Sequence, residues 1–166
     1  MSGLLRQELQ RLLAGKKTVV LGIGREGCGD DAVGPLLAQR LGRGDRVTAL
    51  VAEELPENYT EPIRRLAPQT ILLVDAVDFN GFAGQVVLLR EEELTAVSCS
   101  AHHASLRPLM RYLSLTTGAQ IRLLGVQPDA CRPQTALSQP VSETLSVLHS
   151  LLSHGETEEE TSRWTP

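Results

Sequence analysis

Short apolar runs, separated by stretches with helical spacing, constrain the fold of this chain most. The runs TVVLGI at Thr18–Ile23 and ILLV at 71–74 are almost wholly apolar, as parallel strands buried on both faces are. Between such runs, apolar residues recur every three or four positions, which predicts helices with one buried face. This alternation indicates an α/β fold, a three-layer α/β/α sandwich around a mostly parallel sheet. Predicted strands cover 18–23, 47–51, 71–74, 86–89 and 121–126, and predicted helices cover 4–13, 31–41, a short stretch after Pro56, 103–115 and 141–152.

The connection between the third and fourth predicted strands breaks this alternation. The loop AVDFNGFAGQ at 76–85 is shorter than the dozen or so residues that a parallel crossover needs. The fourth strand is therefore predicted to run antiparallel to the others. The segment 90–101 must then carry the chain back, and about 11 extended residues reach roughly 36 Å, which is ample. We expect the following helix to start at the edge where the first and third strands end.

Composition excludes several functional classes. With 166 residues, 42% of them apolar, the chain is long enough to bury a core and fold as a single domain. A net charge of -4 argues against a nucleic-acid partner. No apolar run approaches the roughly 20 residues of a membrane-spanning helix. The first 17 residues lack the apolar block of a signal peptide, so we expect a cytoplasmic protein with no membrane partner.

The cysteines and the last residues fit the same expectation. Cys28, Cys99 and Cys131 are odd in number and form no CxxC pair, so they are expected to be reduced thiols rather than a disulfide framework or a zinc site. The sequence GETEEETSRWTP is polar and acidic. We therefore expect one domain over 1–154 and a flexible acidic tail over 155–166.

A glycine-rich turn after the first strand has the spacing of a dinucleotide-binding fingerprint. The sequence GIGREG at 22–27 is a literal GxGxxG, and two glutamates at 53–54 follow the second strand. In such folds the pyrophosphate lies on the N-terminus of the next helix. Here that helix opens with the sequence GDD at 29–31, which puts two carboxylates where the phosphate would lie, and like charges in contact cost of order several kcal/mol in a partly dry crevice. We also expect no second domain to hold a substrate, so a dinucleotide-binding module is the second-ranked interpretation.

Two acids and a histidine are predicted to meet at the carboxyl edge of the sheet. One acid of the Asp30–Asp31 pair can cap the helix, which leaves Asp31, in the helical register, to point into the crevice. Asp75 ends the third strand at the edge where open α/β sheets bind ligands. His102 precedes the next helix and is in phase with its leucines, on the face that turns toward the sheet.

These three residues allow more than one chemistry. Two carboxylates and an imidazole suit a borderline divalent ion such as nickel or zinc. A pair of aspartates also suits acid–base catalysis without metal. Asp78 competes with Asp75 but sits further from the sheet, and His103 competes with His102 but is shifted around the helix. Each residue alone also has a structural interpretation, as a helix cap, a strand end or a histidine bonded to a carbonyl.

At these residues the sequence resembles the hydrogenase maturation endopeptidases, most closely the branch that serves hydrogenase 3 of formate hydrogenlyase. Any one matching stretch is weak, but together they follow the family's order over most of residues 17–150. The stretches are VVLGIGREGCGDDAVGPLLAQRL at 19–41, LPEN at 55–58, ILLVDAVDFNGFAGQV at 71–86, AHHASL at 101–106, LLGVQPD at 123–129 and SQPV at 138–141.

The resemblance implies a fold and an activity. The family's phosphorylase/hydrolase-like sheet has the order 2-1-3-5-4 with strand 4 antiparallel. Its members, often classed as aspartic-type peptidases, remove a C-terminal extension from the large-subunit precursor of a nickel–iron hydrogenase once nickel is inserted. The nickel-contacting residues of the family fall on Asp31, Asp75 and His102, with Asp31 and Asp75 as the catalytic acids. His102 is chosen over His103 because the family histidine precedes a leucine by four positions.

The cofactor implied is nickel carried by the precursor rather than held permanently by the enzyme. A non-enzymatic nickel chaperone with the same three ligands is a further alternative. Two departures from the family pattern flank the cleft: Arg25 replaces an asparagine, and glutamates at 53–54 stand in a segment that usually contains glycine. We expect these departures to affect how the precursor docks.

Overall fold

The computed structural model describes residues 2–96, 98–99, 103–129, 131, 133 and 135–153. The predicted acidic tail at 155–166 lies outside these residues. The helices are α1 (Gly3–Leu13), α2 (Val33–Leu41), α3 (Thr60–Leu66), α4 (His103–Thr117) and α5 (Gln139–Ser153). The strands are β1 (Thr18–Ile23), β2 (Val47–Glu53), β3 (Thr70–Asp78), β4 (Val86–Leu89), β5 (Ser98–Cys99) and β6 (Gln120–Val126). Short 3-10 turns cover Gly29–Ala32, Pro56–Tyr59 and Glu91–Ala96.

The strands form one mixed sheet in the order β2-β1-β3-β6-β4. The pairs β1–β2, β1–β3 and β3–β6 are parallel, whereas β4 is antiparallel to β6. The two-residue strand β5, which the sequence did not predict, pairs with the end of β3 outside this path. With β6 as the fifth predicted strand, the expected order 2-1-3-5-4 and the antiparallel fourth strand are confirmed.

Helices cover both faces of this sheet. Alternate strand residues point to opposite faces; in β1, Val20 joins one apolar core while Val19 and Leu21 join the other. The first core is closed by α1, α2 and α5, and the second by α3 and α4. The predicted three-layer sandwich is therefore confirmed. Within the described residues, no helix combines the length and the apolar character that a membrane span requires.

Helix α2 lies with its backbone directly against the sheet. A Cβ on Gly22 of β1 would overlap the carbonyl oxygen of Gly34, and a Cβ on Gly34 would overlap the carbonyl oxygens of Ile23 and Val74. The contact is backbone against backbone on both sides, so neither position has a flexible side chain that could move away. The glycines at 22 and 34 are thus required by the packing of α2 on β1 and β3.

We predict that Gly34→Ala destabilises the fold by about 1–3 kcal/mol or more, because the added methyl group must displace backbone atoms of two strands. Urea unfolding of the variant and the wild type measures the difference. Gly3→Ala is the matched control, because Gly3 is also helical but has nothing within 4 Å of the new methyl group. Equal stability of Gly34→Ala and the wild type would contradict the packing described here.

Candidate active site

Asp31 lies in the 3-10 turn that links β1 to α2. The predicted helix start at 31 was two residues early, because the N–H of Asp31 bonds to the carbonyl of Cys28 three residues back and α2 begins at Val33. Only 5% of Asp31 is exposed, and its Oδ2 accepts a hydrogen bond from the backbone N–H of Arg25 at 3.0 Å. Gly24, with φ +126°, has no room for a Cβ beside the Asp31 carbonyl. The glycine turn is therefore folded tightly over Asp31.

Asp75 lies within β3 and is fully buried. The prediction that it ends the strand was wrong: β3 continues to Asp78, because β6 and β5 pair with the additional residues. The pairing of β3 with β1 does end at Val74, so Asp75 comes just past the paired part of β1. The turn carrying Asp31 also contacts β3. The structure thus brings Asp31 and Asp75 to the same carboxyl edge, as the sequence analysis expected.

The Asp30 side chain holds two distant parts of the chain. Its Oδ1 accepts a hydrogen bond from the N–H of Ser138 at 2.7 Å, and its Oδ2 accepts bonds from the N–H of Asp129 at 2.8 Å and the Oγ of Ser138 at 2.9 Å. Asp30 is 1% exposed, and neither it nor Asp31 caps α2 through its side chain. The helix-cap interpretation of the pair is therefore wrong. Asp30 ties the LGVQPD and SQPV stretches to the turn that carries Asp31.

The Asp78 carboxylate holds the loop that follows β3 through hydrogen bonds. Its Oδ1 accepts hydrogen bonds from the N–H of Asn80 at 3.0 Å and from Nε2 of Gln127 at 3.1 Å. The bond from Asn80, and then the bond from Gln127, hold the pKa of Asp78 below its usual value. The other amide atom, Gln127 Oε1, accepts bonds from the N–H groups of Phe79 and Gly81 at 2.9 and 3.0 Å. The structure thus gives Asp78 a structural role in this loop.

Gln127 organises the surroundings of the site, a role that the sequence did not reveal. Its side chain is 7% exposed although glutamine is a polar residue. The available signal was its position directly after an apolar strand, inside the LGVQPD stretch. A glutamine there can satisfy several backbone groups at the carboxyl edge, which is what Gln127 does.

His102 lies outside the described residues, so its role stays a prediction. The described chain before it, β5, pairs with β3 at Val77 and Asp78, close along the strand to Asp75. Helix α4 begins at His103, as the sequence predicted. Among the side chains that the structure describes, no three histidines, cysteines or acids are grouped for a metal ion. The predicted trio of Asp31, Asp75 and His102 is not tested by that result.

The two departures from the family pattern contact each other at the rim. Arg25 Nε lies 3.1 Å from Glu54 Oε1, with about half of each side chain exposed. The N–H of Gly24 bonds to the carbonyl of Glu53 at 3.0 Å, and Glu53 has a left-handed φ of +48°. A backbone conformation that favours glycine at 53 agrees with the glycine usual in that segment. The exposed ion pair between Arg25 and Glu54 links the ends of β1 and β2. The two departures from the family pattern therefore form one contact at the rim of the site.

Cys131 lies near Asp30 and Asp31, a proximity that the sequence did not reveal. Cys28 and Cys131 are free cysteines, which confirms the expected thiols for these two; Cys28 is buried and Cys131 is exposed. Partial burial, followed by the charges of Asp31 and Asp30, raises the pKa of the Cys131 thiol to about 11. This thiol therefore stays protonated at neutral pH and is a poor nucleophile despite its exposure.

We predict that Asp30→Asn destabilises the protein by about 2–4 kcal/mol, because a buried charged acceptor of three hydrogen bonds is lost. Ser138→Ala removes only one of these donors and should cost about 1 kcal/mol. Urea unfolding of both single variants and the double variant gives their coupling energy, which should exceed about 0.5 kcal/mol. Additive effects, or wild-type stability of Asp30→Asn, would show that the bonds contribute little.

We also predict slow alkylation of Cys131. Raising its pKa from 9.0 to about 11 lowers its thiolate fraction about 100-fold at neutral pH, so iodoacetamide should label it about that much more slowly than an ordinary exposed thiol. The rate should rise with pH through the range below 11, and Asp31→Asn should speed labelling by removing a nearby negative charge. Peptide mapping by mass spectrometry follows each cysteine, with Cys131→Ser as the assignment control. Labelling at the rate of glutathione would contradict the raised pKa.

Comparison with known proteins places this chain in a family. The family model described as hydrogenase maturation protease matches residues 33–153. A putative hydrogenase maturation protease of Methanocaldococcus jannaschii is 32% identical over 152 residues, covering 84% of this chain and 85% of that protein. The hydrogenase 3 maturation protease of Escherichia coli K12 is 28% identical over 137 residues, covering 81% and 87%.

A solved structure gives the same result for the fold. The crystal structure of the nickel–iron hydrogenase maturation protease HycI from Thermococcus kodakarensis superposes with a TM-score of 0.76 at 29% identity, covering 89% of this chain and 97% of that one. Sequence family, curated relatives and three-dimensional fold agree over most of the chain. The chain therefore belongs to the family of hydrogenase maturation proteases, and its activity is that of an endopeptidase in hydrogenase maturation.

Proposed function

We propose that this endopeptidase removes the C-terminal extension of a nickel–iron hydrogenase large-subunit precursor after nickel insertion, and that it recognises the bound nickel. The observation that carries the proposal is the pair Asp31 and Asp75, two carboxylates at most 5% exposed that reach one edge of the sheet from neighbouring elements. Their neighbours Asp30 and Asp78 hold loops through several hydrogen bonds each. Open α/β sheets bind ligands at this edge, which supports the assignment of Asp31 and Asp75.

Nickel enters this proposal as part of the substrate. The precursor holds the ion, and Asp31, Asp75 and His102 add two carboxylate ligands and one imidazole to its coordination. Carboxylate and neutral imidazole are suitable ligands for a divalent ion of this type. A precursor without nickel lacks the ion that joins the two proteins, so its scissile bond is not brought to the two acids.

The hydrolysis follows from the same placement. A carboxylate of the pair accepts a proton from the water that attacks the scissile carbonyl. The resulting carboxylic acid then gives this proton to the peptide nitrogen as the C–N bond breaks, which makes the chemistry aspartic in type. The bound ion holds the peptide bond near this water and can polarise its carbonyl. The two acids lie on separate elements that contact each other, the turn at Gly29–Ala32 and the strand β3.

The nucleotide-binding alternative finds no support at the glycine turn. The space that a pyrophosphate would use beside Gly24 is filled by the carbonyl of Asp31, and Gly22 lies against the carbonyl of Gly34. The glycine spacing thus serves contacts within the protein. A nickel chaperone would use the same three ligands as the peptidase, and cleavage of the precursor distinguishes the two.

We predict that Asp31→Asn, Asp75→Asn and His102→Ala each reduce processing of nickel-loaded precursor at least about 100-fold, because each removes a catalytic or nickel-binding group. The mass of the large-subunit product measures processing, and circular dichroism checks that each variant is folded. His103→Ala is the matched control and should process nearly normally. Normal processing by a folded Asp31→Asn or Asp75→Asn variant would refute the role assigned to that residue. A strong loss of processing in His103→Ala would show that the nickel-binding histidine is His103 instead of His102.

Other substrates in the same assay distinguish the proposed peptidase from a nickel chaperone and from an ordinary aspartic protease. Nickel-free precursor should stay uncut, and casein should stay intact at neutral and acid pH. Nickel binding without any cleavage would favour the chaperone. Hydrolysis of casein at acid pH, independent of nickel, would instead indicate an ordinary aspartic protease.

A further inference from the structure

The loop Phe79–Gln85, here called the β3–β4 loop, begins directly after β3, the strand that carries Asp75. Its sequence FNGFAGQ contains no charged residue, in a chain of which 22% of residues are charged. Its backbone is held at several points by groups of the core. Gln127 Oε1 binds two of its N–H groups, the N–H of Gly84 bonds to the Gln127 carbonyl at 2.8 Å, and Thr144 Oγ1 donates to the Gly84 carbonyl at 2.7 Å.

Two left-handed residues and two close contacts set the shape of this loop. Asn80 and Gly84 have φ values of +58° and +78°. A Cβ on Gly84 would lie 2.6 Å from the carbonyl oxygen of Pro140, and a Cβ on Gly81 would overlap the ring of Phe79. At the tip, the N–H of Phe82 bonds to Gln85 Oε1 at 3.1 Å. The backbone around Phe82 is thus held in one conformation by hydrogen bonds and close packing.

This fixed loop leaves the Phe82 side chain 88% exposed. A phenylalanine in water contributes almost no apolar burial to folding. The other phenylalanine, Phe79, is partly buried and packs against the second core. A rigid backbone that presents an exposed aromatic ring is the arrangement of a binding anchor, because little conformational freedom is lost when a partner covers it.

We propose that Phe82 is a docking anchor that inserts into an apolar pocket on the folded body of the hydrogenase large-subunit precursor. This inference rests on the proposed function, because it takes its partner from it. The loop starts at the carboxyl edge that holds Asp31 and Asp75, so a precursor whose nickel reaches these acids meets the loop as well. The absence of charge in the loop favours an apolar contact over an ionic one. In this arrangement the scissile bond lies beside the buried Asp31 and Asp75, and the exposed ring of Phe82 contacts the body of the precursor.

The test compares Phe82→Ala with Leu115→Ala. Leu115 is 79% exposed on α4 and is a matched control for loss of an exposed apolar side chain. Steady-state processing of nickel-loaded precursor should show a KM at least about tenfold higher for Phe82→Ala, with kcat and Tm near the wild-type values. Leu115→Ala should match the wild type in all three. Phe82→Leu should recover part of the loss, because it restores apolar contact area.

Each other result overturns the inference. An unchanged KM for Phe82→Ala, or an equal rise for Leu115→Ala, shows that the ring is not a specific anchor. A lower kcat with an unchanged KM places Phe82 in the chemistry instead of the docking. If the wild type cuts nickel-loaded precursor and Phe82→Ala behaves identically, only this inference fails. If the wild type does not cut that precursor at all, the proposed function fails, and the inference fails with it.

Discussion

The contact between the backbone of α2 and the strands β1 and β3 supports the rest of the site. It exists because Gly22 and Gly34 have no Cβ, so the helix comes closer to the sheet than side chains would allow. The preceding turn, Gly29–Ala32, contacts β3, and the Asp31 carbonyl lies against Gly24, the residue after β1. Asp30 and Asp31 are carried by that turn. Interior packing at this density leaves no slack for either acid to move away.

Two aspartates near the carboxyl edge hold other segments of the chain through several hydrogen bonds each. Asp30 and Asp78 accept hydrogen bonds that hold other segments, and both act through backbone N–H groups of neighbouring loops. Asp31 and Asp75 lie at the edge itself, one from a turn and one from a strand. Asp30 and Asp78 thus have structural roles, and the chemical roles of Asp31 and Asp75 belong to the proposed function. The structural acids are needed because buried backbone groups must be satisfied where loops cross the edge.

Two polar side chains hold the surroundings of the site in place. Asp30 binds the chain at Asp129 and Ser138, and Gln127 binds the β3–β4 loop. Both side chains are less than a tenth exposed, so their hydrogen bonds form away from competing water. Residues of the LGVQPD and SQPV stretches thus serve the site by fixing loops around it. The exposed Phe82 is presented from one of those fixed loops.

Apart from β5, local pattern alone determined the order of helices and strands, the mostly parallel sheet and the direction of β4, because strand and helix periods and the length of the 76–85 loop are properties of short stretches. It also placed Asp31 and Asp75 at one edge, since the ends of parallel strands meet there. Only the tertiary structure decided that Asp30 bonds to Asp129 and Ser138, which are 99 and 108 positions away in the sequence. It likewise decided that Gln127 holds the β3–β4 loop and that Cys131 lies beside Asp30 and Asp31. These contacts join segments far apart in the chain, and no local period records which distant residue will complete a hydrogen bond.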